Sequence, residues 1–224
     1  MELINQIKEL FERTPSDLEK IKDLLSSRKL SEDELAELAV SFTSVCSWEY
    51  QDALEPDLES VNAETMRSNY IVAALNLLLT FGLNPNTIVH YDNVLWNTMW
   101  IDAPNVAAST LRLLLENGGD PNHCMSPEDE TIFEFISSKV SYDEYTHDCF
   151  HTVQCWLLLM AYGACFRNNE KIPLTMLGGH SIEIFKNFEL FDYLIEPLPP
   201  EPGTYGNWTM HIFNTETKER VAVY

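Results

Sequence analysis

Apolar positions in the first part of the chain recur with the three- and four-residue spacing of amphipathic helices. Residues 14–17, Thr-Pro-Ser-Asp, supply an N-cap and a proline at the first helical position. Ser31 and Glu34 form a capping box before a second helix. The apolar positions that follow these two starts are Leu18, Ile21, Leu24, Leu25, Leu35, Leu38, Ala39 and Phe42. Residues 52–64 are acidic and aperiodic, which predicts a loop. A longer helix is expected from about Asn62 to Gly82, where glycine provides a left-handed cap.

Comparison of the chain with itself reveals a recurring segment in which a helix ends at glycine and a polar turn follows. Residues 78–86 read Leu-Leu-Thr-Phe-Gly-Leu-Asn-Pro-Asn, and residues 114–122 read Leu-Leu-Glu-Asn-Gly-Gly-Asp-Pro-Asn. A third copy, residues 159–164, reads Leu-Met-Ala-Tyr-Gly-Ala. Further helices are expected to start within residues 93–96, 131–134 and 172–175. The spacing matches a pair of helices and predicts a helical repeat.

These segments resemble the ankyrin repeat, a unit of about 33 residues. In that family the second helix ends in Leu-Leu-x-x-Gly-Ala-Asp-x-Asn, a signature that both matched segments keep well. The third copy degenerates after Gly163, where Cys165-Phe166 replace the polar pair of this signature. The first-helix signature, Thr-Pro-Leu-His, is intact nowhere and comes closest at Pro173-Leu174. The resemblance covers about residues 65–180 and implies an all-α helical repeat solenoid, ankyrin-like, with a short C-terminal β-hairpin. An irregular helical protein with shared glycine stop signals would also explain the pattern.

The C-terminal part changes from helical to strand-like patterning. The prolines at positions 197, 199, 200 and 202, followed by Gly203, stop any helix. Residues 207–213 and 219–224 alternate with period two around a turn at 214–218, which predicts a β-hairpin. Because an isolated hairpin is only marginally stable, it is expected to pack on a last helix, Ser181 to Ile195, and to cap the repeats.

Three regions are therefore predicted. Residues 1–64 hold N-terminal helices, which could form a further degenerate repeat and a cap. Residues 65–196 hold the ankyrin-like repeats, with an insertion near 137–150 that extends a helix–helix connection at the surface. Residues 197–224 hold a Pro-rich linker and the hairpin cap.

Charge narrows the classes of partner. The chain has 35 acidic residues against 14 Lys and Arg, a net charge of −21. Residues 65–166 contain three bases and eleven acids. Such a surface repels phosphate backbones, so direct binding of nucleic acid or of an anionic membrane is not expected. The same field would steer a basic protein toward the repeats.

The sequence also favours a cytoplasmic protein. No apolar run reaches the roughly 18 residues that a membrane span needs, since residues 71–83 include Asn76 and Thr80. The N-terminus lacks the basic and apolar regions of a signal peptide. Five cysteines without a CxxC pair indicate free thiols in a reducing compartment.

Several groups of residues could form a catalytic or metal-binding site, but each has a simpler structural explanation. His147, Cys149, His151 and Cys155 are zinc-ligand types at a spacing that fits no structural zinc site. Neighbours such as His123 and Cys124 rarely reach the geometry of a nucleophile and its base. The acids after Ser126-Pro127 are typical of a helix start. We therefore predict no catalytic residue, no metal ligand and no cofactor.

The ankyrin resemblance places partner binding on loop tips and on the shorter inner helices, here residues 86–100, 122–134 and 166–176. Within these ranges His90, Tyr91 and His123 lie in polar turns, so exposure is expected for them. The two tryptophans, four residues apart on one helix, would pack in the core or bind a partner. The predicted partner-binding residues are His90, Tyr91, Trp96, Trp100, His123, Glu128, Asp129 and Glu130.

The main functional hypothesis is a non-enzymatic module that binds a basic protein through loop tips and a concave face. An inhibitor or immunity-type protein that masks a basic, nucleic-acid-directed partner would fit. Two alternatives stay open. One is an acidic mimic of nucleic acid that sequesters a nucleic-acid-binding protein. The other is a metal-dependent hydrolase that uses the cluster from His147 to Cys155.

Overall fold

Helices make up most of the N-terminal and central parts of the chain, and a sheet lies toward its C-terminus. The computed structural model describes residues 2–13, 18–44, 70–101, 104–126, 129–142, 149–165, 188–190, 193–198 and 209–223. The chain divides into two compact units, residues 1–120 and 121–224.

The first unit contains six α-helices and one hairpin among its described residues. The helices are α1 (Glu2–Arg13), α2 (Leu18–Ser27), α3 (Glu32–Ser44), α4 (residues 70–80), α5 (Val94–Asn97) and α6 (Pro104–Glu116). A 3-10 helix, Thr98–Trp100, follows α5 directly. The hairpin pairs β1 (Ile88–Val89) with β2 (Asp92–Asn93).

Aromatic stacking joins three helices of this unit. The ring of Phe11 on α1 lies 3.9 Å from that of Phe42 on α3 and 4.9 Å from that of Tyr70 on α4. Six of the apolar positions predicted for α2 and α3 are buried, and the other two are half-buried. The predicted apolar face is thereby confirmed, because it is the surface that these helices bury. The buried positions are Ile21, Leu25, Leu35, Leu38, Ala39 and Phe42.

Local signals set the helix ends as the sequence predicts. The hydroxyl oxygen of Ser31 accepts from the Glu34 amide at 3.2 Å, and the Ser31 amide donates to the Glu34 carboxylate at 2.9 Å. This is the predicted capping box. At the other end, Gly82, Gly118 and Gly163 have φ of 97°, 91° and 88°, so the predicted left-handed glycine caps are confirmed.

All three glycine caps share one hydrogen-bond pattern. In each cap the glycine N–H donates to the carbonyl three residues back, and the next N–H donates to the carbonyl five residues before it, at 2.9 to 3.2 Å. This is the Schellman motif, which satisfies the last carbonyls of a helix. The recurring sequence segments therefore have a recurring backbone geometry.

The second unit is built around a buried helix. It contains α7 (Ile132–Tyr142), α8 (Cys149–Ala161) and strands β3 (Phe188–Leu190), β4 (Tyr193–Leu198), β5 (Thr209–Asn214) and β6 (Arg220–Val223). Residues 155–160 of α8 are all buried, and the helix packs on α7, β4 and β6. Its Trp156 stacks on Phe133 of α7 with ring centroids 6.4 Å apart, and its Nε1 donates to the Ser137 hydroxyl at 2.9 Å.

The prediction of an all-α repeat solenoid with one short hairpin is wrong. Strands β3 to β6 form a four-stranded antiparallel sheet in the order β3-β4-β5-β6. The predicted hairpin is confirmed as β5 and β6, but it is half of this sheet. The helix expected over residues 181–195 is also wrong, because 188–190 and 193–195 belong to strands. Pro197, placed in a linker by the sequence, lies within β4 opposite Met210.

The physical reason for this error is that short apolar runs fit a buried strand as well as a helix. Pairing with β5 decides between them, and that partner lies in a different segment of the chain. A second correction concerns residues 126–132. The helix begins at Ile132, within the start expected at 131–134, so the start at Ser126 is wrong. A capping box precedes it, in which the Thr131 amide donates to Glu134 at 2.8 Å.

Other predicted features fall partly or wholly outside the described residues. Of the predicted insertion, residues 137–142 lie in α7 and residues 149–150 begin α8. The proposed N-cap at 14–17, the acidic segment at 52–64 and the helix start at 172–175 are among the residues that the structure leaves undescribed.

Candidate partner-binding site

Two asparagines connect successive glycine-capped loops. In the first unit, Asn86 Nδ2 donates to the Gly118 carbonyl at 2.9 Å, and its Oδ1 accepts from the Asp120 amide at 2.7 Å. In the second unit, Asn122 Nδ2 donates to the Gly163 carbonyl at 3.4 Å, and its Oδ1 accepts from the Cys165 amide at 2.7 Å. These bonds fix the loops that precede the predicted tips.

The first of these loops is also attached to α3. The Glu32 carboxylate accepts from Asn84 Nδ2 at 2.8 Å and from the Thr87 hydroxyl. These bonds lower the pKa of Glu32, the Thr87 bond contributing most and the Asn84 bond next. Residues 84–87 are thus held by α3 on one side and by the α6 end on the other.

A fully buried asparagine joins this loop to the hairpin and to α5. Asn93 Oδ1 accepts from the amides of Leu95 at 2.8 Å and Trp96 at 3.4 Å, which caps α5. Its Nδ2 donates to the carbonyls of Pro85 at 3.0 Å and Thr87 at 2.9 Å. Asn93 was not among the predicted site residues. Its position just before an apolar stretch is the N-cap signal that could have found it.

The tip of the hairpin is the turn His90-Tyr91, two residues that connect β1 and β2. The register pairs Val89 with Asp92, so these two residues form the whole turn. Their φ angles are 53° and 65°, the signature of a type I′ turn. Such turns favour Asn-Gly, and a left-handed conformation costs an ordinary L-residue about 1–2 kcal/mol. Histidine visits this region more often than most residues, so the larger strain falls on Tyr91.

Both tip residues are exposed, as the sequence predicts. Tyr91 is 98% exposed, by far the largest fraction among the exposed large hydrophobic residues described. Ile88 on β1 is also exposed. A tyrosine with almost no contact area contributes little to the stability of its own fold. The hairpin therefore presents an aromatic ring to solvent on a firmly attached loop.

The two predicted tryptophans do not share one α-helix. Trp96 is half-buried on α5, which ends at Asn97, and Trp100 lies at the end of the 3-10 helix. The prediction that both tryptophans lie on one α-helix is therefore wrong. The side chain of Trp100 is outside the described part of the structure.

The predicted residues of the second unit have different surroundings. His123 is half-buried, so its expected exposure is wrong, and its carbonyl accepts from the Ile132 amide at 3.0 Å. The next residue, Cys124, forms an isolated β-bridge with Thr131. Asp129 and Glu130 are exposed just before α7, while Glu128 lies outside the described residues. The structure therefore places His90, Tyr91, Trp96 and Trp100 in the first unit, and His123, Asp129 and Glu130 in the second.

Charge in the central region is strongly one-sided. Among described side chains between residues 70 and 165, the only base is Arg112, whose Nε donates to Glu116 at 2.8 Å. The acids with described side chains in the same range are Asp92, Glu116, Asp120, Asp129, Glu130 and Glu134. Among the side chains described in this stretch, acids therefore outnumber Lys and Arg by six to one.

The cysteine positions weaken the metal-site interpretation. Cys155 is fully buried, and this burial raises the pKa of its thiol to about 12. Metal ligation needs the thiolate, which such an environment disfavours. Within the described residues, no three His, Cys, Asp or Glu side chains are grouped to hold a metal ion. His147 and the side chains of Cys149 and His151 lie outside that description.

Comparison with known molecules leaves the family open. None of the helices described is long and apolar enough to cross a bilayer. No protein-family model, curated protein or solved structure matches the chain. The ankyrin resemblance thus stays a prediction from the sequence, and function has to be argued from the geometry of the candidate site.

Proposed function

We propose that this protein is a non-enzymatic binding module that recognises a basic protein through loop tips, with the β1–β2 hairpin as the main contact. The observation that carries the proposal is the 98% exposed ring of Tyr91 on a turn of strained backbone. Strained residues are retained where they serve function, and tyrosine is enriched at the energetic centres of interfaces.

The attachment of the hairpin supports this role. Glu32, Asn86 and Asn93 hold the loop before β1 through side-chain hydrogen bonds to neighbouring segments. A tip on a fixed loop loses little conformational entropy when a partner binds, which favours affinity. The resemblance of the matched segments to ankyrin repeats supports the same use of their loops.

Charge supports a basic partner. With a net charge of −21 and Arg112 paired to Glu116, the protein attracts positive surfaces over a distance set by ionic strength. We further propose a cytoplasmic inhibitor or immunity-type role, in which the module masks a basic, nucleic-acid-directed protein. The free thiols of Cys124, Cys155 and Cys165 agree with a reducing compartment.

The test is affinity capture from native lysate with identification by mass spectrometry, followed by surface plasmon resonance with the purified partner. The wild-type bait is expected to retain a basic protein whose association slows as salt rises. A matched bait carrying Asp129→Lys and Glu130→Lys should retain less of it at low salt. A partner that is acidic, or association that is indifferent to both salt and charge reversal, would contradict the proposal.

An alanine scan against the same partner separates this function from nucleic-acid mimicry. A conventional interface concentrates binding energy in a few aromatic residues such as Tyr91. Mimicry would instead distribute small losses over many carboxylates. Dominance of the carboxylate variants would favour the mimic.

A further inference from the structure

We propose that the Tyr91 ring is a platform for an arginine side chain of the basic partner, with Asp92 supplying the neighbouring negative charge. This inference rests on the proposed function, since it assigns the chemical group that the hairpin tip binds. The bound group would be a guanidinium that stacks on the exposed face of the Tyr91 ring.

The sequence of the turn does not serve the fold. Both central positions have positive φ, where Asn-Gly would relieve the strain that His90-Tyr91 maintains. Tyr91 is 98% exposed and therefore gains almost no packing in exchange. A bulky residue in an unfavourable backbone conformation, with its ring in solvent, points to a use outside the folded chain.

The Tyr91 ring is attached to a backbone of fixed position. The register of Val89 with Asp92 and of Ile88 with Asn93 closes the hairpin directly behind the turn. Asn93 is fully buried and bonded to Pro85 and Thr87. Tyrosine itself has only two side-chain torsions to order, so binding at this tip has a small entropic penalty.

The electrostatics of the hairpin tip favour a guanidinium group. The face of an aromatic ring attracts cations, and arginine does so more often than lysine because its planar guanidinium stacks and is weakly hydrated. Asp92 follows Tyr91 directly, and its carboxylate is held by the Asn93 amide at 2.8 Å. A carboxylate of fixed position one residue from the ring suits a partner group that can both stack and donate hydrogen bonds.

The probe is a capped tetra-arginine peptide, with a capped tetra-lysine peptide of equal charge for comparison. Both are titrated at low salt into isotope-labelled full-length protein and followed by NMR. The arginine peptide should shift the Tyr91 ring and the His90 and Asp92 amides, and it should bind more tightly than the lysine peptide. Equal affinity for the two peptides would overturn the proposal, because charge alone would then explain binding.

The variants form a matched set. Tyr91→Phe keeps the ring and should retain the arginine affinity, whereas Tyr91→Leu keeps an apolar side chain and should weaken it about 2–5-fold. An exposed apolar residue of the other unit, Val221→Ala, should leave the affinity unchanged. Unchanged affinity in the leucine variant, with an intact amide spectrum, would overturn the inference.

A double variant tests the strain argument separately. His90→Asn with Tyr91→Gly should raise the melting temperature, by about 2–4 °C for a chain of this size, while it abolishes the preference for the arginine peptide. A lower melting temperature would show that the turn residues do stabilise the fold, which overturns the claim that they are strained for a use in binding.

The captured partner distinguishes failure of this inference from failure of the proposed function. If a partner depends on the acidic residues but binds wild type and Tyr91→Leu equally, the arginine platform and the role of the hairpin tip are wrong, while recognition of a basic protein stands. If no basic partner depends on the acidic residues at low salt, the proposed function itself fails.

Discussion

Asn86 and Asn122 make equivalent pairs of hydrogen bonds, each to the carbonyl of a capping glycine and to the amide two residues after it. The two asparagines lie 36 residues apart in sequence. In each asparagine the side-chain Nδ2 donates and the Oδ1 accepts, so both polar atoms of the side chain are used. The recurring sequence segment thus encodes a helix stop and also an attachment to the following loop.

Replacement of Asn86 by alanine should destabilise the first unit. Two hydrogen bonds between loops are lost, and the expected decrease in the free energy of unfolding is about 1–2 kcal/mol. Urea denaturation at neutral pH measures it. Asn117→Ala is the matched control, because Asn117 is exposed and bonds only locally, to the Leu113 carbonyl. Equal midpoints for the two variants would show that the connection between loops adds no stability.

Gly118→Val should destabilise the protein by about 1–3 kcal/mol, because a β-branched residue is strained at φ of 91°. No atom lies within 4 Å of a Cβ built at this position, so the loss would be conformational and not steric. Gly118→Asn should lose less, since asparagine tolerates the left-handed region. Thermal unfolding of both variants provides the comparison. A valine variant as stable as wild type would contradict the assigned cap.

Stability should depend on Glu32 at acid pH. Hydrogen bonds from Thr87 and Asn84 lower its pKa in the folded state, and the bond from the Ser31 backbone chiefly lowers that of Glu34. Groups with a lowered folded pKa stabilise the fold above their unfolded pKa and lose this contribution as pH falls through the folded value. Wild type should therefore lose stability below about pH 4.5, the ordinary pKa of a glutamate carboxyl.

The variant Glu32→Gln isolates this effect. Its urea midpoint should lie below that of wild type at pH 7, and the difference should shrink as the pH falls into the acid range. Asp33→Asn removes the same charge from the same helical turn and serves as the control. A difference between wild type and Glu32→Gln that is constant with pH would contradict the linkage.

The thiols should separate by exposure. Cys165 is exposed and should react first with a thiol reagent in the native protein, whereas the buried Cys155, with its pKa raised to about 12, should react only on unfolding. After denaturation without reductant, all five cysteines should titrate as free thiols. Recovery of three or fewer from fresh protein would reveal a disulfide and contradict the expected reducing compartment.

Charge and aromatic contacts should control different rates of partner binding. Reversal of Glu128, Asp129 and Glu130 to lysine should slow association at low salt, because complementary charge steers the encounter. The effect should shrink at 1 M salt, where screening limits exposed charges to about 3 Å. Tyr91→Ala should instead speed dissociation at either salt. Surface plasmon resonance measures both, and association untouched by the triple reversal at low salt would exclude this acidic segment as the docking face.

The parts of the fold that follow from neighbouring residues were predictable. A glycine at a helix end, a Ser31–Glu34 box and the alternation around residues 214–218 each specify local geometry, and all three are found. Strand β4 could not be predicted in this way, because its apolar residues suit either structure until β5 supplies hydrogen bonds. The local pattern identifies β5 as a strand, but it does not show which distant segment pairs with β5.

The candidate site was predictable at its tip and not at its support. His90 and Tyr91 lie in a polar turn of the sequence, so their exposure follows from the pattern. Their I′ turn lacks the Asn-Gly signal that would have identified it. The role of Asn93 depends on the carbonyls of Pro85 and Thr87, which approach it only in the folded loop.

The register of β6 has a consequence for self-association. Ile212 pairs with Ala222 and Phe213 pairs with Arg220, so Val221 is an extra residue that bulges from the outer strand of the sheet. An outer strand with an exposed valine is a natural template for another chain, but a bulge interrupts the ladder that an incoming strand would need to extend. The irregularity therefore protects this side of the sheet against aggregation, and a variant that restores regular pairing by deleting Val221 would remove that protection.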